Sequence, residues 1–174
     1  MAPYTTTADA NKLSITTDNF DGYILQPSDF EEYFEMLQDK EFILRYGQKV
    51  SRECADIFFT NGIKHWETHN YGPWIFRDKL TMEYVGCIVL RNFEGNVELA
   101  YGIKPIYWGN KVGTQLCKAV IKYAFEHLKI KSLTAYTSSE NKPSIMFLES
   151  LGFHYEKDYE HEGQMCKYYR LENN

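Results

Sequence analysis

Cysteine is sparse in this chain, and what there is stands scattered. Cys54, Cys87, Cys117 and Cys166 form no C-x-x-C pair, so neither a zinc site nor a disulfide framework is indicated. A basic excess is lacking as well. With 19 Lys+Arg against 24 Asp+Glu the net charge is −5, which argues against nucleic acid, whose phosphates demand a cationic face. Long apolar runs are missing: nothing approaches the ~18 consecutive residues of a membrane span. The opening MAPYTTTADANKLS has neither the basic nor the apolar part of a secretory leader. No membrane partner and a reducing cytoplasm are therefore expected. The histidines, His65, His69, His127, His154 and His161, are dispersed and pair with no cysteine at metal or nucleophile spacing. No metal is expected.

Aromatic residues, by contrast, are plentiful, at 16% with 14 Tyr, which suits sheet cores and apolar pockets alike. The 174 residues make one ordinary domain, with residues 1–18 read as a small polar arm and 19–174 as a single folded unit. Residues 22–27 read as a short strand stopped by proline. Ser28 then opens a helix with Glu31 at capping-box spacing and Phe30, Tyr33, Phe34 and Leu37 along its apolar side. Residues 42–47 read as a loop or short helical turn. A further helix from Ser51 sets Cys54, Ile57, Phe58, Ile63 and Trp66 to one side.

After residues 70–73 strands dominate: 74–77, 83–90 and 97–103, the last two joined by a hairpin turn at Glu94-Gly95-Asn96. Val112, Leu116, Val120, Ala124 and Leu128 recur every four residues and mark the clearest helix. A strand at 132–136 follows, then a helix opened by Pro143 and ended by Gly152, and closing strands at 153–155 and 165–171. The layout is α+β, with one mixed sheet and helices on its faces.

One stretch stands out. From Tyr101 to Thr114 the chain reads YGIKPIYWGNKVGT: a strand, a proline, then a short turn leading straight into the long helix. Such a turn aims several backbone N–H groups at one spot, where the helix start adds roughly half a positive charge. An anion is the expected occupant, most naturally a diphosphate.

The turn and its surroundings resemble the GCN5-related N-acetyltransferase (GNAT) superfamily, and within it the RimJ/RimL-like branch. That family's phosphate turn runs Gln or Arg, two residues, Gly, one residue, then Gly or Ala. Here the register falls on Trp108, Gly109, Asn110, Lys111, Val112 and Gly113. Tryptophan followed by glycine at its start is similar to the RimJ/RimL branch. So are Asn141-Lys142-Pro143-Ser144, the Leu151-Gly152-Phe153 signature, and Val97-Glu98-Leu99-Ala100-Tyr101 in the position of the glutamate-bearing fourth strand. The match covers about residues 21–171, and its motifs stand in order at near-normal spacing. One departure is Lys111, where the family usually has its first motif glycine. Lysine gives up glycine's φ freedom but adds a cation beside the phosphates.

The resemblance implies a single GNAT-like domain whose mixed, mostly antiparallel sheet has roughly six to seven strands with helices on both faces. It implies acetyl-CoA as donor, its diphosphate on the N–H groups of Asn110, Lys111, Val112, Gly113 and Thr114 beside Trp108 and Gly109. It also implies that the pantetheine arm pairs along Tyr101, Gly102 and Ile103, where the fourth and fifth strands splay apart. The expected acceptor is a primary amine, either a protein N-terminal α-amine or a small molecule, acetylated by direct attack in a ternary complex. The protein would work as a monomer or homodimer.

An amine attacks only when unprotonated, so a base is useful. Glu98 is the candidate; the plainer reading is a solvated or salt-bridged strand carboxylate. Relatives often carry a tyrosine seven residues after the asparagine, but here that place is Leu148, which leaves Ser144 or solvent to protonate the leaving thiolate. Asn141 either bridges the cofactor arm or simply caps a helix. The acidic run at residues 156–162 reads as a solvated hairpin or as a lip steering an amine. Lys111 and Leu148 also leave room for a different reading, a non-catalytic acyl-CoA-binding module.

Overall fold

The computed structural model describes residues 13–174, so most of the arm expected at 1–18 lies outside the described residues. Its last part is not an arm. Leu13–Thr16 forms strand β1, paired antiparallel with β2 (Phe20–Ile24). Thr17 closes the connecting turn by exchanging bonds with Phe20, and Ile15 and Phe20 are buried. This local pairing has no long apolar period to announce it.

The chain continues through a 3-10 turn (Pro27–Asp29), helices α1 (Phe30–Gln38), α2 (Lys40–Tyr46) and α3 (Arg52–His69), and strands β3 (Pro73–Asp78), β4 (Tyr84–Phe93) and β5 (Asn96–Ile103). A second 3-10 turn (Pro105–Tyr107) leads to α4 (Val112–Glu126). Strand β6 (Ser132–Ser138), helix α5 (Lys142–Ser150), and strands β7 (His154–His161) and β8 (Gln164–Glu172) complete the described chain. All eight described strands form one sheet in the order β1-β2-β3-β4-β5-β6-β8-β7, antiparallel except between β5 and β6. The expected α+β class with a mixed, mostly antiparallel sheet is the one found; β1 brings the count to eight.

Helices cover both faces. Leu116, Val120, Ile121 and Ala124 of α4, with Leu148 of α5, pack against Ile88, Leu90, Leu99 and Leu133. Each Leu, Val or Ile among them contributes roughly 1.5–3 kcal/mol when fully buried. On the other face, Tyr33, Met36 and Leu37 of α1, Phe42 of α2 and Phe59 of α3 pack on Ile75, Cys87 and Val89.

Three local readings change. The capping box lies two residues early, because the Gln26 N–H donates to the Asp29 carboxylate at 2.9 Å and α1 begins at Phe30. Helix α2 is a full element, capped by Asp39, which accepts from the Glu41 and Phe42 N–H groups, and ended by left-handed Gly47. Helix α3 buries Ala55, Phe59 and Gly62 rather than its Cys54–Ile57 side, Ile57 being 54% exposed. Small residues there let the helix approach β3 closely: a Cβ on Gly62 would stand 2.7 Å from the Pro73 ring.

Candidate active site

Strands β5 and β6 run parallel, yet their register holds at a single pair, Glu98 with Thr134. The Thr134 hydroxyl reinforces that junction by donating to the Val97 carbonyl at 3.4 Å. Beyond it β5 keeps its ladder to β4 as far as Ile103 opposite Gly86, while β6 stays paired with β8 as far as Ser138. The two strands part, and the backbone of Tyr101, Gly102 and Ile103 becomes an edge along the opening. Added-strand pairing needs such an edge.

At the end of that edge Pro105 starts a 3-10 turn, and the Trp108 indole N–H donates back to the Ile103 carbonyl at 2.9 Å. Gly109 (φ 79) and Lys111 (φ 59) both take the left-handed conformation. A lysine held there costs about 1 kcal/mol that glycine avoids, so Lys111 occupies the glycine position in conformation as well as in sequence. Among the described residues no side chain caps α4, which leaves the first-turn N–H groups of Val112, Gly113 and Thr114 for a ligand. A Cβ on Gly113 would meet nothing closer than the Phe147 ring at 3.5 Å. A Cβ on Gly109, by contrast, would meet nothing within 4 Å, so the turn is open on that side.

A cavity of about 290 Å³ lies against this turn, lined by Tyr101, Ile103, Trp108, Gly109, Lys111, Val112, Gly113, Thr114 and Ser144. Arg45 and Tyr46 of α2, which sequence reasoning missed, also line it, as do Tyr107, Pro143 and Phe147. Three expected cofactor residues lie outside the lining. Gly102 faces the opposite side of the sheet, where a Cβ would meet Met36 at 3.0 Å and Phe42 at 3.3 Å. Asn110 is exposed in the turn. Asn141 caps α5, its side-chain oxygen accepting the Ser144 N–H at 3.2 Å.

The two catalytic candidates stand on opposite faces of the sheet, as alternation along β5 requires. Ser144 shares a 2.5 Å hydrogen bond with the Tyr101 hydroxyl on the cavity side. Burial pushes that phenol above its usual range, and the Ser144 bond offsets part of the shift. Glu98 lies on the other face, 3% exposed, and accepts from Arg91 Nε at 2.6 Å. Burial raises its carboxyl above the ordinary carboxylate range, while the Arg91 hydrogen bond and charge oppose the rise. Arg91 also reaches the Tyr136 hydroxyl at 3.5 Å. The hairpin expected at residues 94–96 was a signal for this pairing, and its observed two-residue Glu94-Gly95 connection sets Arg91 directly opposite Glu98. Arg45 had no such signal.

Comparison with known proteins agrees with this geometry. The family model described as "Acetyltransferase (GNAT) domain" matches residues 24–154. YkkB, an uncharacterized protein of Bacillus subtilis (strain 168), is 28% identical over 157 residues, covering 84% of this chain and 88% of its own. Among solved structures, an acetyltransferase from Agrobacterium tumefaciens str. C58 superposes with a TM-score of 0.81 at 18% identity, over 91% of this chain and 94% of that one. RimL, a ribosomal alpha-N-protein acetyltransferase solved in complex with coenzyme A, has a TM-score of 0.76 at 12% identity, over 92% and 98% of the two chains. The last two share the fold. The chain belongs to the GNAT acetyltransferase family.

Proposed function

We propose that this protein transfers the acetyl group of acetyl-CoA to a primary amine by direct attack within a ternary complex. One observation carries the reading: the opening between β5 and β6 has an uncapped helix start and cavity on one face and a buried carboxylate on the other. Acetyl-CoA supplies an activated acyl thioester. The N–H groups from Asn110 to Thr114, with Trp108, Gly109 and Lys111, hold its diphosphate, and the edge of Tyr101, Gly102 and Ile103 pairs with its arm. An alkyl amine is mostly protonated at neutral pH, its reference pKa being about 10.4. Glu98 removes that proton, directly or through water. Ser144, bonded to Tyr101, returns one to the departing thiolate; Asn141 acts by capping the helix that carries Ser144.

The Trp108-Gly109 start of the turn supports placing the chain in the RimJ/RimL-like branch. That placement favours a protein N-terminal α-amine as acceptor, with a small amine as the other candidate. The test is thiol release from acetyl-CoA over a panel of amines, comparing wild type with Glu98→Gln. The variant is expected to lose about 10²–10⁴-fold in turnover while binding coenzyme A normally. If wild type binds coenzyme A and turns over no acceptor, the acyl-CoA-binding module replaces the enzyme.

A further inference from the structure

Of the arginines in the described residues, Arg52, Arg77, Arg91 and Arg170 each bond a carboxylate. Arg45 has no such partner among the described residues. Its guanidinium instead lies over the Trp108 ring, 3.6 Å from the centroid, and lines the cavity at the phosphate turn. The arrangement is built from both sides. Trp108 is fixed by its bond to Ile103, and helix α2 is fixed by Phe42, which is buried against Gly102 and stacked on Tyr46 at 4.4 Å. Phe42 thus anchors the helix on the far face of β5, and its helical neighbours Arg45 and Tyr46 reach the cavity.

Stacking on an indole covers one face of a guanidinium and leaves its N–H edge available for an anion. We infer that Arg45 is a phosphate ligand, and that α2 is a clasp which holds the nucleotide of coenzyme A at the turn. This rests on the acetyl-CoA reading above and adds a second cation, from a different part of the chain, to the one at Lys111. It also ties the cofactor to the helices on the acceptor side of the sheet, because α2 follows α1 directly at Asp39.

Calorimetry with the whole protein and three ligands tests it: coenzyme A, 3′-dephospho-coenzyme A and pantetheine. Losing a charge-assisted phosphate bond of roughly 1.5–3 kcal/mol predicts that Arg45→Ala binds coenzyme A about 10–100-fold more weakly, with pantetheine affinity held within about twofold. Retention of the deficit with the dephospho form assigns Arg45 to the diphosphate; its disappearance assigns Arg45 to the 3′-phosphate. Arg52→Ala, on the exposed side of α3, serves as the control and is expected to bind like wild type. Equal affinity of Arg45→Ala and wild type for coenzyme A overturns the clasp, as does an equal loss for all three ligands. Wild type failing to bind coenzyme A at all removes the acetyltransferase reading, and the clasp falls with it.

Discussion

Glu98 sits where burial and an ion pair pull its proton affinity in opposite directions, and burial wins, so the carboxyl titrates above its ordinary 4.5. In the interval above 4.5 the folded protein keeps this proton longer than the unfolded chain does. The contribution of Glu98 to stability therefore declines as pH rises through that interval. With Glu98 as the proposed base, activity moves the other way, because a base must be ionised to accept a proton. The acid limb of kcat/KM against pH is expected above the usual carboxylate range. Arg91→Gln, by removing the opposing cation, is expected to shift that limb to still higher pH in the thiol-release assay. A limb that stays put or moves down would take Glu98 out of the base role. At this scale the sequence was a good guide to identity and a poor one to conformation. Lys111 was legible as a departure from glycine, but its left-handed backbone, held between an indole-pinned turn and a helix start, was not.

Elements were legible where one period dominates and obscure where contacts decide. Helix α4 and the β4–β5 hairpin follow directly from spacing, the hairpin through left-handed Glu94 and Gly95. Helix α2 does not, since its burial depends on Phe42 finding Gly102, a residue sixty positions away in a strand. Strand β7 runs on to His161 although its side chains are mostly exposed, because its backbone is paired with β8. The most sensitive place in this framework is Gly86. A Cβ there would lie 2.5 Å from the Gly102 carbonyl oxygen and 3.0 Å from the Ile103 Cα, and neither backbone atom can swing aside as a side chain would. Gly86→Ala is expected to destabilise the protein by about 1–3 kcal/mol, read as a lower midpoint in urea unfolding. An unchanged midpoint would mean that β4 and β5 separate freely.

For the molecule as a whole, the proposed arrangement, with donor and acceptor meeting from opposite faces of one sheet, needs no covalent relay. Among the described residues, the Cys87, Cys117 and Cys166 thiols are pushed up by burial and poorly suited to carry an acetyl group. Initial-rate measurements varying donor and acceptor together should give intersecting double-reciprocal lines; parallel lines would reveal an acyl-enzyme. The same divergence of β5 from β6 bears on whether another chain can pair in the opening. Unmatched amides on a strand normally recruit a neighbour's strand. A polypeptide ribbon entering here would find strands about 4.8 Å away on both sides only at the apex, because the two strands spread from Glu98 and Thr134. A slender thread can lie in such a wedge where a stray ribbon finds footing on one side alone.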